Sequence, residues 1–123
     1  MPTYSSANPP SSVFPGDVGF SWNNEAIPAD GTAGAQFAVP EPSGLADQGH
    51  VVRWTSSFTG GPTAVNLRLQ GAIADVDSEY ADIDTSTNTA GESRTVTGVR
   101  ARFVRIKKFS STGGTNLTAK LIV

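Results

Sequence analysis

Apolar and polar residues alternate along most of the second half of the chain. Within segment 50–58 the alternation is regular over a central run: Val52, Arg53, Trp54 and Thr55. A repeat of two residues places apolar side chains on one face of an extended strand and polar side chains on the other. Segment 50–58 is therefore predicted to be a strand with one buried face.

The same alternation recurs farther along the chain. It predicts strands at 63–73, 80–85, 94–98, 101–109 and 116–123. In the last strand Leu117, Ala119, Leu121 and Val123 should face inward. The Gly-Gly-Pro turn at 60–62 is predicted to join the first two of these strands as a hairpin. No segment shows a helical repeat, so no helix is predicted.

The first half of the chain is less regular. Residues 1–12 are rich in proline and serine, and proline fixes φ and lacks a backbone donor, so we predict an extended N-terminal arm. Apolar residues then crowd positions 13–22. Proline and glycine divide positions 23–49 into what we predict to be mostly loop, with one short strand at 35–39. A loop of this length is typical of a functional surface or of one ordered by a partner.

Together these elements predict an all-β fold, an antiparallel β-sandwich or jelly roll preceded by the arm. The chain has 123 residues, the usual length of one domain. We therefore assign residues 1–12 to the extended N-terminal arm and residues 13–123 to a single β-sandwich domain.

Composition narrows the possible functions. Only 16% of the residues are charged and the net charge is −2, so much of the surface must be Ser, Thr, Asn and Gly, which neighbouring proteins can bury easily. This charge provides no basic field for nucleic acid, and no apolar run reaches the ~20 residues of a membrane span. The absence of cysteine excludes disulfides and thiolate metal sites. The first residues lack the features of a secretory signal, so we expect synthesis in the cytoplasm.

Little in the sequence suggests catalysis. His50 is the only histidine, and neither a nucleophile elbow nor a phosphate-binding loop is present, so we expect no enzymatic activity and no cofactor. The best candidates for binding an ion are Asp75, Asp77 and Glu79, because hard cations need several oxygen ligands close together. Their spacing does not match an EF-hand loop, so we interpret them as a solvated acidic turn and predict no metal site, with ion binding as the alternative.

The C-terminal half resembles a known group of proteins. Its segments are VNLRLQGAI, EYADIDTST and RTVTGVRARFVRIKKF, followed by TGG and TNLTAKLIV. This order of strands and turns is similar to that of small β-sandwich proteins from the structural modules of tailed bacteriophages. The ARFVRI segment also resembles a strand of discoidin-like sandwiches. The resemblance implies a virion component, either a capsid decoration (cement) protein or a small module of a tail or head fibre.

For a decoration protein the resemblance implies synthesis in the host cytoplasm and, on the capsid surface of the virion, binding to the major capsid protein and to neighbouring copies of itself. The resemblance also makes a homotrimer plausible. We expect the partner-binding residues in the arm and the apolar stretch after it: Tyr4, Phe14, Phe20 and Trp22. For Phe20 and Trp22 the alternative interpretation is packing in the core. The alternative function is carbohydrate or receptor binding by a module of a phage tail or head fibre.

Overall fold

A computed structural model describes residues 18–39 and 49–122, and the backbone of residues 11–12. Over these ranges the chain forms strands and one 3₁₀ turn, Asp77–Glu79, without an α-helix, which confirms the predicted all-β class. The strands are β1 (Ser11–Ser12), β2 (Val18–Ala26), β3 (Thr32–Ala33), β4 (Phe37–Ala38), β5 (His50–Thr59), β6 (Ala64–Ala72), β7 (Ala81–Ser86), β8 (Glu92–Val99), β9 (Phe103–Thr112) and β10 (Asn116–Ile122).

The strands form two sheets. The four-stranded sheet has the order β2-β10-β5-β8, and the six-stranded sheet has the order β1-β4-β9-β6-β7 with β3 also paired to β9. All pairs are antiparallel except β1 with β4. If the two-residue β1 is left aside and β3 and β4 count as one strand, the pairs β2·β10, β4·β9, β5·β8 and β6·β7 join the first strand to the last, the second to the next-to-last, and so on inward. A long hairpin rolled up in this way is a jelly roll.

The core lies between the two sheets and follows the predicted alternation. Val52 and Trp54 from β5 are 0% and 1% exposed, and Leu67 and Leu69 from β6 are both fully buried. On β10 the predicted inward residues Leu117, Ala119 and Leu121 are at most 1% exposed. Burial of such side chains provides the main driving force for closing the sandwich, because apolar area is removed from water on both inner faces.

The predicted hairpin between the segments at 50–58 and 63–73 is wrong. The strand β5 pairs with β10 and β8 in one sheet, whereas β6 pairs with β9 and β7 in the other. Both strands have one apolar face, and the core forms where these faces meet across the sandwich. The turn at 60–62 therefore carries the chain from one sheet to the other. Alternation predicts which side chains are buried, but it does not predict which strand lies alongside.

The first half contains more strand than its loop-like composition predicts. The strand β2 runs through Asn23 to Ala26, where the composition predicts loop, because its pairing with β10 tolerates two irregularities of register. At one of them Asn24 takes a left-handed backbone with φ of 53°, a conformation that asparagine adopts more readily than most residues. The predicted strand at 35–39 is present as β4, and β3 is an additional strand.

Residues 1–10 of the predicted arm and the stretch 40–48 lie outside the described residues. The last two residues of the arm, Ser11–Ser12, form β1 and pair with Phe37–Ala38 at the edge of the six-stranded sheet. Within the described ranges there is no helix with the length and apolar character needed to cross a membrane.

Candidate interaction surfaces

The outer side of the four-stranded sheet is one candidate surface. Its outward residues alternate with the buried ones, and the strand register arranges them in rows. One row is Val18–Ile122–Arg53–Thr95 and the next is Phe20–Lys120–Thr55–Ser93. Thr118 and Ser57 begin a third row. We call these ten residues the hydroxyl face, because half of them carry a hydroxyl group.

The hydroxyl face has two cations and no carboxylate. The Arg53 side chain is exposed, and its Nε donates to Ser93 Oγ at 2.8 Å. The Lys120 Nζ lies 5.7 Å from the centre of the Phe20 ring. Neither cation forms an ion pair within the described residues. The face is therefore positively charged, although the whole chain has a net charge of −2.

One corner of the hydroxyl face is apolar. Val18 is 52% exposed, and Ile122 beside it is half-buried. With Leu121 and the polar residues next to them, they line a shallow depression of about 200 Å³. An apolar corner beside unpaired cations can provide both buried area and charge attraction to a protein partner.

The four predicted partner-binding residues have different positions. Phe20 lies half-buried on the hydroxyl face. Trp22 is 2% exposed and belongs to the core cluster, so the folded domain does not present its indole to a partner and the core interpretation describes it. Tyr4 and Phe14 lie outside the described residues.

The outer side of the six-stranded sheet is built differently. Its central side chain is Arg105, which is only 3% exposed because the turn at 75–80 folds over it. Its Nε donates to Gln70 Oε1 and its Nη1 to Asp77 Oδ1, both at 2.9 Å, and its guanidinium lies 3.8 Å from the centre of the Tyr80 ring. On the same side Arg68 bonds Asp82 at 2.8 Å and lies 3.7 Å from the ring centre of Phe109. We call this surface the ion-paired face.

The turn at 75–80, which we call the acidic turn, contributes hydrogen bonds to the ion-paired face. Asp77 pairs with Arg105, and Asp75 accepts hydrogen bonds from the Tyr80 hydroxyl at 2.9 Å and from the Gln36 amide. Glu79 is exposed in the 3₁₀ turn. No cluster of three or more metal-ligating side chains occurs in the part of the chain that the structure describes. The three candidate ion ligands are therefore not brought together around one point.

An apolar cleft of about 320 Å³ opens at one end of the sandwich, where β6, β7 and β8 come together. Its wall includes Ala81, Ile83 and Val99, and Ile73 at its side is 74% exposed. The lone histidine, His50, is half-buried and pairs with Val99 in the sheet. The cleft offers mainly apolar contact, and the polar side chains of its lining are Glu79, Thr97 and Arg100.

A set of polar residues joins the two sheets where the edge strands β7 and β8 meet. We call it the edge latch: Trp54, Asp84, Ser86, Glu92 and Arg94. Asp84 accepts bonds from Arg94 Nε at 2.7 Å and Nη2 at 3.0 Å, and from the Trp54 indole at 2.9 Å. Ser86 donates to Glu92 at 2.7 Å, and Arg94 also bonds Glu92 at 3.2 Å.

Hydrogen bonds lower the pKa values of the two acids in the edge latch. Burial acts to raise the pKa of Asp84, but the hydrogen bonds from Arg94 and Trp54 outweigh it and hold the pKa below its usual value. The hydroxyl of Ser86 lowers the pKa of Glu92. Both acids are therefore ionised in the folded protein at neutral pH, as a latch between the sheets requires.

Sequence reasoning did not identify the hydroxyl face or the edge latch as units. The alternation already predicts that Arg53, Thr55, Thr118 and Lys120 point away from the core. It contains no signal that β5 and β10 are neighbours, so it could not place these side chains on one surface. For Asp84 and Arg94, which approach each other across the edge of the sandwich, the sequence carries no signal of pairing.

The sequence matches no model of a protein family and no curated protein at a significant level. A jelly-roll sandwich supports many unrelated functions, so the fold alone does not indicate one. Any indication of function therefore lies in the chemistry of the two sheet faces.

Proposed function

We propose that this protein is a non-enzymatic capsid decoration protein of a tailed phage. In this proposal the hydroxyl face binds an acidic, partly apolar surface of the major capsid protein. The observation that carries the proposal is the pair of cations, Arg53 and Lys120, on a face without carboxylates in a protein of net charge −2. The resemblance of the C-terminal half to phage structural proteins supports the same conclusion.

The hydroxyl face suits a protein partner for physical reasons. Its short hydroxyl side chains lose little rotamer freedom when they are buried, whereas long charged side chains lose more. Its charge attracts carboxylates, which speeds encounter and fixes orientation. Val18 and Ile122 add apolar area that becomes buried on contact. A modest contact of this kind gains effective strength when one protein also touches neighbouring subunits on a shell.

The carbohydrate-binding alternative has less support from the described aromatic rings. A sugar stacks on a free ring face, but the guanidinium of Arg68 lies over Phe109 and that of Arg105 lies over Tyr80. The ring of Phe20 has the Lys120 ammonium nearby. Each of these three rings already has a cationic neighbour within the protein, which leaves less free ring surface on which a sugar could stack.

Co-sedimentation with capsids that lack this protein tests the proposal. Wild type should bind saturably, and a variant with both Arg53→Glu and Lys120→Glu should lose that binding because the face becomes negative. A control with both Arg100→Glu and Lys107→Glu makes the same change of net charge elsewhere and should still bind. Binding of wild type should also weaken as salt screens the charges.

Two results would contradict this assignment. If wild type fails to sediment with the shells, the capsid is not the partner. If the double variant binds as well as wild type, the hydroxyl face is not the contact. Size-exclusion chromatography of the free protein tests the additional proposal that it forms a homotrimer.

A further inference from the structure

A small polar pit lies on the ion-paired face, away from the hydroxyl face. It has a volume of about 130 Å³ and is lined by Gly31, Ala33, Asp77, Arg105 and Lys107. Strand register explains the arrangement, because Ala33 pairs with Lys107 and the acidic turn covers the adjacent Arg105. The pit therefore combines two cations and one carboxylate around a space larger than a single water molecule.

The guanidinium of Arg105 is only partly used by the protein. Arginine has five N–H donors, and in Arg105 one bonds Gln70 and one bonds Asp77. The other three have no acceptor within the described residues. Arg105 lines the pit, although the residue as a whole is only 3% exposed.

The charge of the pit selects among oxyanions. Arg105 and Lys107 contribute two positive charges and Asp77 contributes one negative charge, so the pit has a net charge of about +1. Lys107 forms no ion pair within the described part of the chain. A singly charged ligand balances this charge, whereas a dianion would leave a net negative charge in the pit and would lose more hydration on entering it. The planar fork of a guanidinium also matches the two oxygens of a carboxylate.

We propose that the pit is a binding site for a single carboxylate group, held by the free guanidinium edge of Arg105 and the ammonium of Lys107. The carboxylate belongs either to a free organic acid or to an acidic sugar. This site is independent of the proposed capsid contact, because it lies on the opposite sheet.

Titration of the ¹⁵N-labelled full-length protein with sodium acetate, followed by NMR, tests the site. At constant ionic strength the amide signals of Gly31, Ala33 and Lys107 should shift saturably, with a Kd on the order of 1–10 mM for so small a ligand. Sodium chloride should not reproduce the shifts. A parallel titration with glucuronate identifies the source: saturable shifts with acetate alone indicate a free acid, and shifts with both indicate that an acidic sugar also enters.

Variants separate the site from general charge effects. Lys107→Met should weaken acetate binding about tenfold, because one charge-assisted hydrogen bond is lost. Lys120→Met removes a cation from the hydroxyl face and should leave the acetate Kd unchanged. Asp77→Asn should tighten binding and admit phosphate. Shifts that grow linearly with acetate, that chloride reproduces, or that Lys107→Met does not alter would overturn the proposal.

Discussion

The two outer faces of the sandwich use their polar residues in opposite ways. On the six-stranded side, Arg68 and Arg105 each bond a carboxylate of the same chain, and the acidic turn shields Arg105 from water. On the four-stranded side, Arg53 and Lys120 have no carboxylate beside them within the described residues. Both faces are built from alternating strands, so the difference lies in which residues the register brings together. One face completes most of its ion pairing within the molecule, whereas the cations of the other have no ion-pair partner among the described residues.

This contrast has an energetic basis. A cation that is almost fully buried, such as Arg105, is tolerated only when hydrogen bonds and opposite charge replace its water. A cation on an exposed face keeps its water and needs no partner to fold. Removal of a cation should therefore destabilise the protein on the ion-paired face and have little effect on the hydroxyl face.

The largest expected difference is between Arg105→Met and Lys120→Met, the same kind of change on the two faces. Arg105→Met leaves Gln70 and Asp77 without their donor, so we expect it to lower the free energy of unfolding by about 2–3 kcal/mol. Lys120→Met should change it by no more than about 0.5 kcal/mol. Urea denaturation of both variants measures the difference. Equal losses would show that the contrast between the faces has no energetic meaning.

Two aspartates on β7 should also differ in their contribution to the unfolding free energy, by less than the two cations do. Asp84 belongs to the edge latch. Asp82 bonds Arg68 on the outer side of the sheet, and 42% of its side chain is exposed. Asp84→Asn should cost about 1.5–2 kcal/mol, because it weakens bonds to a charged partner at a partly buried edge. Asp82→Asn should cost about 1 kcal/mol or less. Thermal or urea unfolding at neutral pH compares them.

The contribution of Asp84 should also make the unfolding free energy depend on pH. The folded pKa of Asp84 is lowered, so its contribution is fully present above the unfolded pKa, about 4, and is lost as pH falls through the lower folded value. The unfolding free energy of wild type should therefore fall below about pH 4. In Asp84→Asn this fall should be shallower. An identical pH profile would mean that Asp84 does not contribute to the latch.

The sequence was informative where a property depends on one strand alone. The alternation in β5 and β10 correctly predicted that Trp54 and Leu121 are buried, and the described residues contain no α-helix, in agreement with the lack of a helical repeat in the sequence. It failed for β5 and β6, which are adjacent in sequence yet lie in different sheets, because a jelly roll pairs strands that are far apart along the chain. Long-range pairing depends on the complementarity of whole faces, which a local pattern does not contain.

The candidate surfaces were predictable to a lesser degree. Phe20, which we expect to bind a partner, lies half-buried on the hydroxyl face, whereas Trp22, two residues away, is in the core because an irregularity in the register of β2 lies between them. An extra residue on one strand reverses the side of the sheet to which the later side chains point. The unpaired donors of Arg105 depend on three segments that meet in space, namely β6, β9 and the acidic turn, so no local signal indicates them.

The smallest change in unfolding free energy is expected for a substitution in the apolar corner of the hydroxyl face. Ile122→Thr removes exposed apolar surface from the hydroxyl face with a side chain of similar branching, so the unfolding free energy should change by only about 0.5 kcal/mol. A matched Val104→Thr, at a core position that is 0% exposed, buries a hydroxyl group and should cost about 1–3 kcal/mol. If the hydroxyl face binds capsids, Ile122→Thr should still weaken co-sedimentation several-fold, because the apolar contact is lost only in the complex. A variant that is stable but binds less well separates a surface kept for a partner from one needed for folding. Unaltered binding would restrict the contact to the cations and leave the apolar corner outside it.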